Sequence, residues 1–109
     1  MKFLKYFCLV LFVTTNLFAY KLTGIVLDME KNSPLAGANI QVVNEEKFTF
    51  TDSDGNFTIR NIESQIILLK VSYIGYKTEK IELDFKSNTS LDKKILMEPS
   101  LITFDAVRV

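Results

Sequence analysis

The chain is 109 residues long, enough for one small domain. Its 13 basic and 13 acidic residues balance, so no basic face is set aside for nucleic acid. There is no His, no Trp and a single Cys, which excludes Ser–His–Asp and Cys–His machinery and any imidazole ligand for zinc or haem. Hydrophobic residues make up 48% and charged residues 24%, the balance of a chain that folds rather than of a disordered tail.

Lys2 and Lys5 open an apolar stretch that starts near Phe3 and centres on residues 9–13. Thr14, Thr15 and Asn16 interrupt it well short of the roughly 20 apolar residues that a membrane-spanning helix needs. Leu17-Phe18-Ala19 then offers small Ala19 as a cleavage position. The pattern predicts a signal peptide over residues 1–19, and therefore export. Cleavage there removes Lys2 and Lys5 from an equal balance of 13 and 13, leaving a net charge of −2. Cys8 leaves with the signal, and Phe7 before it is too bulky for a lipoprotein attachment site. The exported part has no thiol and must be held by its core alone.

The mature chain reads as strands nearly throughout. Residues 20–28 form the first, with Leu22 and Val26 on one face and Gly24 between them where a neighbour can approach closely. Residues 29–34 are a turn ending in Ser33-Pro34. Residues 37–43 form the next strand, Ala38, Ile40 and Val42 pointing one way and Asn39 and Gln41 the other. After the turn Asn44-Glu45-Glu46, residues 47–51 alternate, and Phe48 and Phe50 are expected on the core side. Asp52-Ser53-Asp54-Gly55-Asn56 is the strongest turn, because Asp-Gly supplies positive φ and both Asp side chains can bond the local backbone.

Residues 57–60 continue as a strand with Phe57 and Ile59 inward. Residues 66–73 are apolar on both faces at first, as in a central strand covered on both sides. Gly75 breaks that strand, and residues 76–85 resume with Ile81, Leu83 and Phe85 in phase. Residues 91–98 supply a last strand through Ile95 and Met97 before Pro99 stops it. No mature segment carries a three-turn helical stripe. Short strands between regular turn signals predict an antiparallel β-sandwich of about seven strands.

Four motifs now stand in order: Gly24-Ile25-Val26 with Asp28; Pro34-Leu35-Ala36-Gly37-Ala38-Asn39-Ile40; Thr51-Asp52-Ser53-Asp54-Gly55-Asn56-Phe57; and Val71-Ser72-Tyr73-Ile74-Gly75-Tyr76. Together they resemble the carboxypeptidase regulatory-like domain, as found at the periplasmic N-terminus of TonB-dependent outer-membrane receptors of Bacteroidota type. The resemblance covers residues 20–98 and implies a seven-stranded, transthyretin-like Greek-key sandwich. It also implies a non-catalytic, exported domain at the outer membrane that works through protein contacts.

Each motif has a physical reading of its own. Pro34 and Gly37 bracket a turn that launches a strand. Tyr73 and Tyr76 flank Gly75, so their rings can lie on the sandwich while each hydroxyl finds a partner.

Residues 99–109 differ in character, being mostly apolar. They are similar to the segment that comes after this domain in such receptors. The resemblance implies that Asp105, Ala106, Val107, Arg108 and Val109 form the energy-coupling box, which pairs with a TonB-type energising protein as an added strand. A final edge strand or a frayed tail is the plainer alternative. The receptor's plug and barrel would be further partners. That barrel has about 22 strands of roughly 9–11 residues each, so the expected product is a truncated receptor or a free-standing exported domain. A free-standing carbohydrate- or protein-binding sandwich is the alternative from another class.

Other chemistries are weaker. Asp52, Asp54 and Asn56 resemble the start of a calcium loop, with Glu63 at its twelfth position. Residues 57–60 between them read as strand, so a plain hairpin is preferred and no metal is expected. Glu45-Glu46, or Asp28 with Glu30, lack a predicted cleft to raise a pKa and read as solvated loops. An isopeptide bond from Lys21 lacks an Asn in the last strand. No cofactor, small-molecule substrate or catalytic residue is predicted.

Overall fold

The computed structural model describes residues 19–86 and 88–100. Within them seven strands form two layers: β1 (Tyr20–Asp28), β2 (Asn39–Val42), β3 (Lys47–Phe50), β4 (Asn56–Ile62), β5 (Ile66–Ser72), β6 (Glu79–Asp84) and β7 (Ser90–Met97). One sheet runs β4-β1-β7 and the other β3-β2-β5-β6. A 3₁₀ turn, Val43–Glu45, joins β2 to β3. The two-sheet, all-β sandwich expected from turn spacing is the architecture observed.

One pairing departs from the antiparallel expectation. β7 runs parallel to β1, from Lys21 opposite Ser90 to Asp28 opposite Met97. An alternating hydrophobic pattern reads the same in either direction. β7 also reaches β1 by crossing from β6 in the other sheet, so no hairpin turn betrays the orientation.

The core lies between the layers. Leu22, Val26, Phe57, Ile59, Ile62, Ile95 and Met97 face it from the smaller sheet, and Ile40, Val42, Ile67, Leu69, Val71 and Leu83 from the larger. Phe85, just past β6, is fully buried and stacks on Tyr20 at a centroid distance of 4.6 Å. Asn61 takes a left-handed φ of 59° and makes a bulge opposite residues 20–22 of β1. The extra residue re-phases β4, so Ile62 rather than Asn61 points inward. Gly24 sits where the neighbouring strands of its sheet close in: a Cβ there would lie 2.5 Å from the Lys93 carbonyl of β7 and 2.6 Å from the Phe57 ring of β4.

Two expectations about β3 and β5 fail. Phe48 is 67% and Phe50 57% exposed, whereas Thr51 is buried. The cause is Thr51, whose hydroxyl accepts the Ala38 N–H at 2.8 Å and donates to the Leu35 carbonyl inside the sandwich. With Thr51 turned inward, alternation turns Thr49 and Lys47 inward and sends both Phe side chains to the outer face. β5 is central within its sheet, but among the described residues only one of its faces is covered, because Ile66 and Leu68 are exposed on the other.

Candidate interaction surface

The motif residues converge on the joints between turns and strands. Asp28, at the end of β1, accepts the Glu30 and Lys31 N–H groups at 2.7 and 2.8 Å and accepts a further hydrogen bond from the Tyr76 hydroxyl. One carboxylate therefore closes the turn after β1 and anchors the loop between β5 and β6. The Tyr76 bond, followed by the Lys31 N–H, holds the Asp28 carboxyl below its ordinary value. The same bond pushes the Tyr76 phenol up to about 12. Neither group is poised to exchange a proton near neutral pH, so the pair is a clasp rather than an acid–base couple. Tyr73 packs beside Tyr76, the ring centroids 5.6 Å apart.

A second joint ties Pro34, Gly37 and Ala38 to the β3–β4 hairpin. Gly37, at φ 84°, donates its N–H to the Thr51 carbonyl at 3.0 Å, and the Thr51 N–H returns to the Ala38 carbonyl at 2.9 Å. Within the turn, Asp52 Oδ1 accepts the N–H groups of Asp54 and Asn56, both at 2.9 Å. Gly55 sits at φ 80° with its Cβ position 2.8 Å from the Val26 carbonyl, a place where only glycine fits. The Asp52 carboxylate is thus spent on the turn. β4 begins at Asn56 and, with its bulge at Asn61, ends at Ile62, so Glu63 lies just past the far end of the strand, roughly 20 Å from the turn at about 3.3 Å per residue. The twelve-residue calcium loop is therefore not formed.

A third joint has no counterpart among the sequence motifs. Glu45 accepts the N–H groups of Glu63 at 3.1 Å and Ser64 at 2.6 Å, tying the 3₁₀ turn to the β4–β5 loop. Partial burial acts to raise its carboxyl, but these donors outweigh burial and hold it low.

Outside this clasped framework, the outer face of the larger sheet exposes several apolar side chains around Gln41 and Lys70. Phe48 and Phe50 stand edge-to-face, 6.0 Å between centroids, opposite Gln41 and Asn39 of β2. Leu68 and Ile66 on β5, Val43 beside them and Ile74 beyond the end of β5 are exposed as well, Ile74 at 90%. Among the described residues β3 is also an unpaired edge. Because Thr51 exchanges backbone bonds with the β2 side, Phe48 and Phe50 present their N–H and C=O groups outward. At one end of this face a cleft of about 340 Å³ is lined by Gly37, Asn39, Ser72, Tyr73 and Ile74. The Asn39 Oδ1 atom is buried and lacks a hydrogen-bond partner among the described residues. The sequence signal for the face is Thr51 ahead of an Asp-rich turn, a residue suited to bonding backbone from inside the fold. The expected partner segment, Asp105, Ala106, Val107, Arg108 and Val109, lies outside the described residues, as does the expected signal peptide.

Comparison with known proteins places this framework. The CarboxypepD_reg-like domain matches residues 22–109. The chain is 34% identical over 102 residues to the TonB-dependent receptor SusC of Bacteroides thetaiotaomicron, covering 90% of this chain and 10% of that protein. It is 30% identical over 99 residues to the TonB-dependent receptor P39 of Formosa agariphila, covering 90% and 9%. The chain thus spans about a tenth of the length of the curated relatives it matches. Among solved structures, 3-chlorocatechol 1,2-dioxygenase of Rhodococcus opacus superposes with a TM-score of 0.64 over 80% of this chain and 62% of its own. At 12% identity that likeness is one of fold alone. The clasped turns and the match across nearly all of the sandwich lead to one assignment: the chain belongs to the CarboxypepD_reg-like domain family.

Proposed function

We propose that this domain is a non-catalytic, exported interaction module, the periplasmic N-terminal extension of a TonB-dependent outer-membrane receptor. Residues 1–19 serve as its signal peptide, residues 20–98 as the sandwich, and residues 99–109 as the segment that meets an energising partner. The observation that carries this is the likeness to two TonB-dependent receptors along 90% of the chain. The clasped motif residues support it too, since Asp28 and Asp52 bond to the fold itself rather than facing a substrate cleft. In this role Asp105–Val109 joins a TonB-type protein as an added strand, the backbone supplying affinity and the side chains register.

Co-purification tests the role. The full chain should retain the periplasmic domain of a TonB-type protein from the same cell, and deletion of residues 105–109 should abolish retention. Equal retention by both forms would remove the role from the tail, and retention by neither would remove the partner.

A second proposal, a carbohydrate-binding sandwich, is favoured by one observation: two solvent-facing rings, Phe48 and Phe50, on a sheet face with Gln41 and Asn39 alongside. Retardation of the chain in polysaccharide gels, lost in Phe48→Ala, would support it; unretarded migration in every polysaccharide would reject it.

A further inference from the structure

We propose that the opening between β3 and β4 is a docking groove for an extended acidic segment of a partner protein, which adds as a strand between the two sheets. β3 and β4 leave their turn as a hairpin, the Asp52 N–H donating to the Asn56 carbonyl at 2.9 Å. Beyond that bond they part, β3 joining the larger sheet and β4 the smaller. Phe48 and Phe50 therefore turn their N–H and C=O groups into the opening from one side. On the other side, the Val26 N–H donates to the Gly55 carbonyl at 2.8 Å. Alternation along that antiparallel pair directs the bonds of Phe57 and Ile59 to β1 and sends those of Thr58 and Arg60 away from it. Two unpaired edges thus face one another. Stacked sheets about 10 Å apart leave room for one strand spaced about 5 Å from each edge.

The groove measures about 400 Å³, and Lys47, Thr49, Thr58 and Arg60 line it together with Glu46 and Phe48. Among the described residues neither Lys47 nor Arg60 makes an ion pair. Neighbouring Glu45 feels the Lys47 charge, but its oxygens are taken up by the Glu63 and Ser64 N–H groups. Two cations against the one carboxylate of the lining is a local surplus in a chain whose 13 basic and 13 acidic residues balance. Backbone pairing gives affinity to any extended segment, while the cations select one with carboxylates at alternate positions, where side chains return to the same face. A second copy of this chain fits poorly. Each of its strands is already bonded on at least one side within a sheet, and its own β3 edge brings a further Lys47 against the first.

This inference does not rest on the receptor role or on the energising partner; failure of the co-purification above leaves it intact. The probes are two capped octapeptides, one alternating Asp with Val and the other Lys with Val, each added in millimolar excess to the full chain. The Asp peptide should slow amide exchange at Phe48, Phe50 and Thr58 by about tenfold or more, and the Lys peptide should leave it unchanged. Lys47→Glu combined with Arg60→Glu should reverse that preference while the far-UV circular dichroism stays as it is. Should the double variant unfold, Arg60→Glu alone, at an exposed position, carries the test by weakening the Asp peptide's effect several-fold. No slowing by either peptide would overturn the proposal, as would equal slowing by both. So would a preference that survives the charge reversal. Slowing that appears without peptide as protein concentration rises would overturn it in favour of a second copy.

Discussion

The hairpin centred on Gly55 and the strand that leads into it make an instructive pair. Both are rich in aromatic and β-branched residues, and they are consecutive in the chain. Yet Phe57 is buried against Gly24 while Phe50, seven residues earlier, is more than half exposed. Alternation places neighbouring side chains on opposite faces but leaves open which face is the core. The choice here falls to a polar residue. Thr51 spends its hydroxyl on the Leu35 carbonyl and the Ala38 N–H, both inside, and the two Phe rings are left outside as a consequence. A buried hydrogen bond has set the phase of an apolar strand.

That contrast can be broken most sharply in the core. Phe85→Ala, at a fully buried ring stacked on Tyr20, should cost about 3–5 kcal/mol in urea unfolding. A loss under about 1 kcal/mol would mean that Phe85 is not packed as described.

Thr51→Val comes next. It keeps the side-chain volume but leaves the Ala38 N–H and the Leu35 carbonyl unpaired, at a cost of about 1–3 kcal/mol. Unchanged stability would refute the hydroxyl's part in setting strand phase.

The Asp28–Tyr76 clasp gives a pH signature with two edges. The carboxyls of Asp28, Glu45 and Asp84 are held low in the folded state. Their contribution is therefore present above the unfolded value near 4, and is lost as pH falls through their folded values. Tyr76 is raised to about 12 in the fold. Its contribution is complete below about 10 and disappears as pH climbs from about 10 to about 12. Melting temperature followed across pH should show both declines, and Tyr76→Phe should reduce the alkaline one. An alkaline limb identical in Tyr76→Phe would show that the clasp contributes nothing.

The smallest expected effect is on the outer face. Phe48→Ser and Phe50→Ser should each change stability by no more than about 0.5 kcal/mol, since both rings are exposed. A loss above about 2 kcal/mol would mean that something in the chain covers them.

Much of the fold is legible in the residues alone. The span of β1, the inward set Ala38, Ile40 and Val42, the Asp52–Asn56 turn and the inward phase of Leu83, Phe85, Ile95 and Met97 follow from period-two patterns and turn chemistry. These are local signals between nearby residues. The hidden features are set at a distance. The parallel direction of β7 depends on a crossover between sheets. The bulge at Asn61 depends on register against β1. The outward turn of Phe48 and Phe50 depends on a hydroxyl meeting backbone groups 13 and 16 residues earlier in the chain. The joint made by Glu45 joins segments 18 and 19 residues apart and has no spacing to announce it. The family motifs are visible because each is a short run of neighbouring residues, three of them at turns and the first within β1. The exposed face is harder to see, because its one local signal is Thr51 ahead of the Asp-rich turn, and that hydroxyl's partners lie well upstream in the chain.

Residue-resolved hydrogen exchange on the full chain tests most directly whether a clasped framework carries an open edge. The N–H groups of Gly37, Ala38 and Thr51 should exchange slowly, near the limit set by global unfolding, while those of Phe48 and Phe50 exchange orders of magnitude faster. Equal protection at Phe48, Phe50 and Thr51 would contradict the account, because β3 would then be paired rather than free.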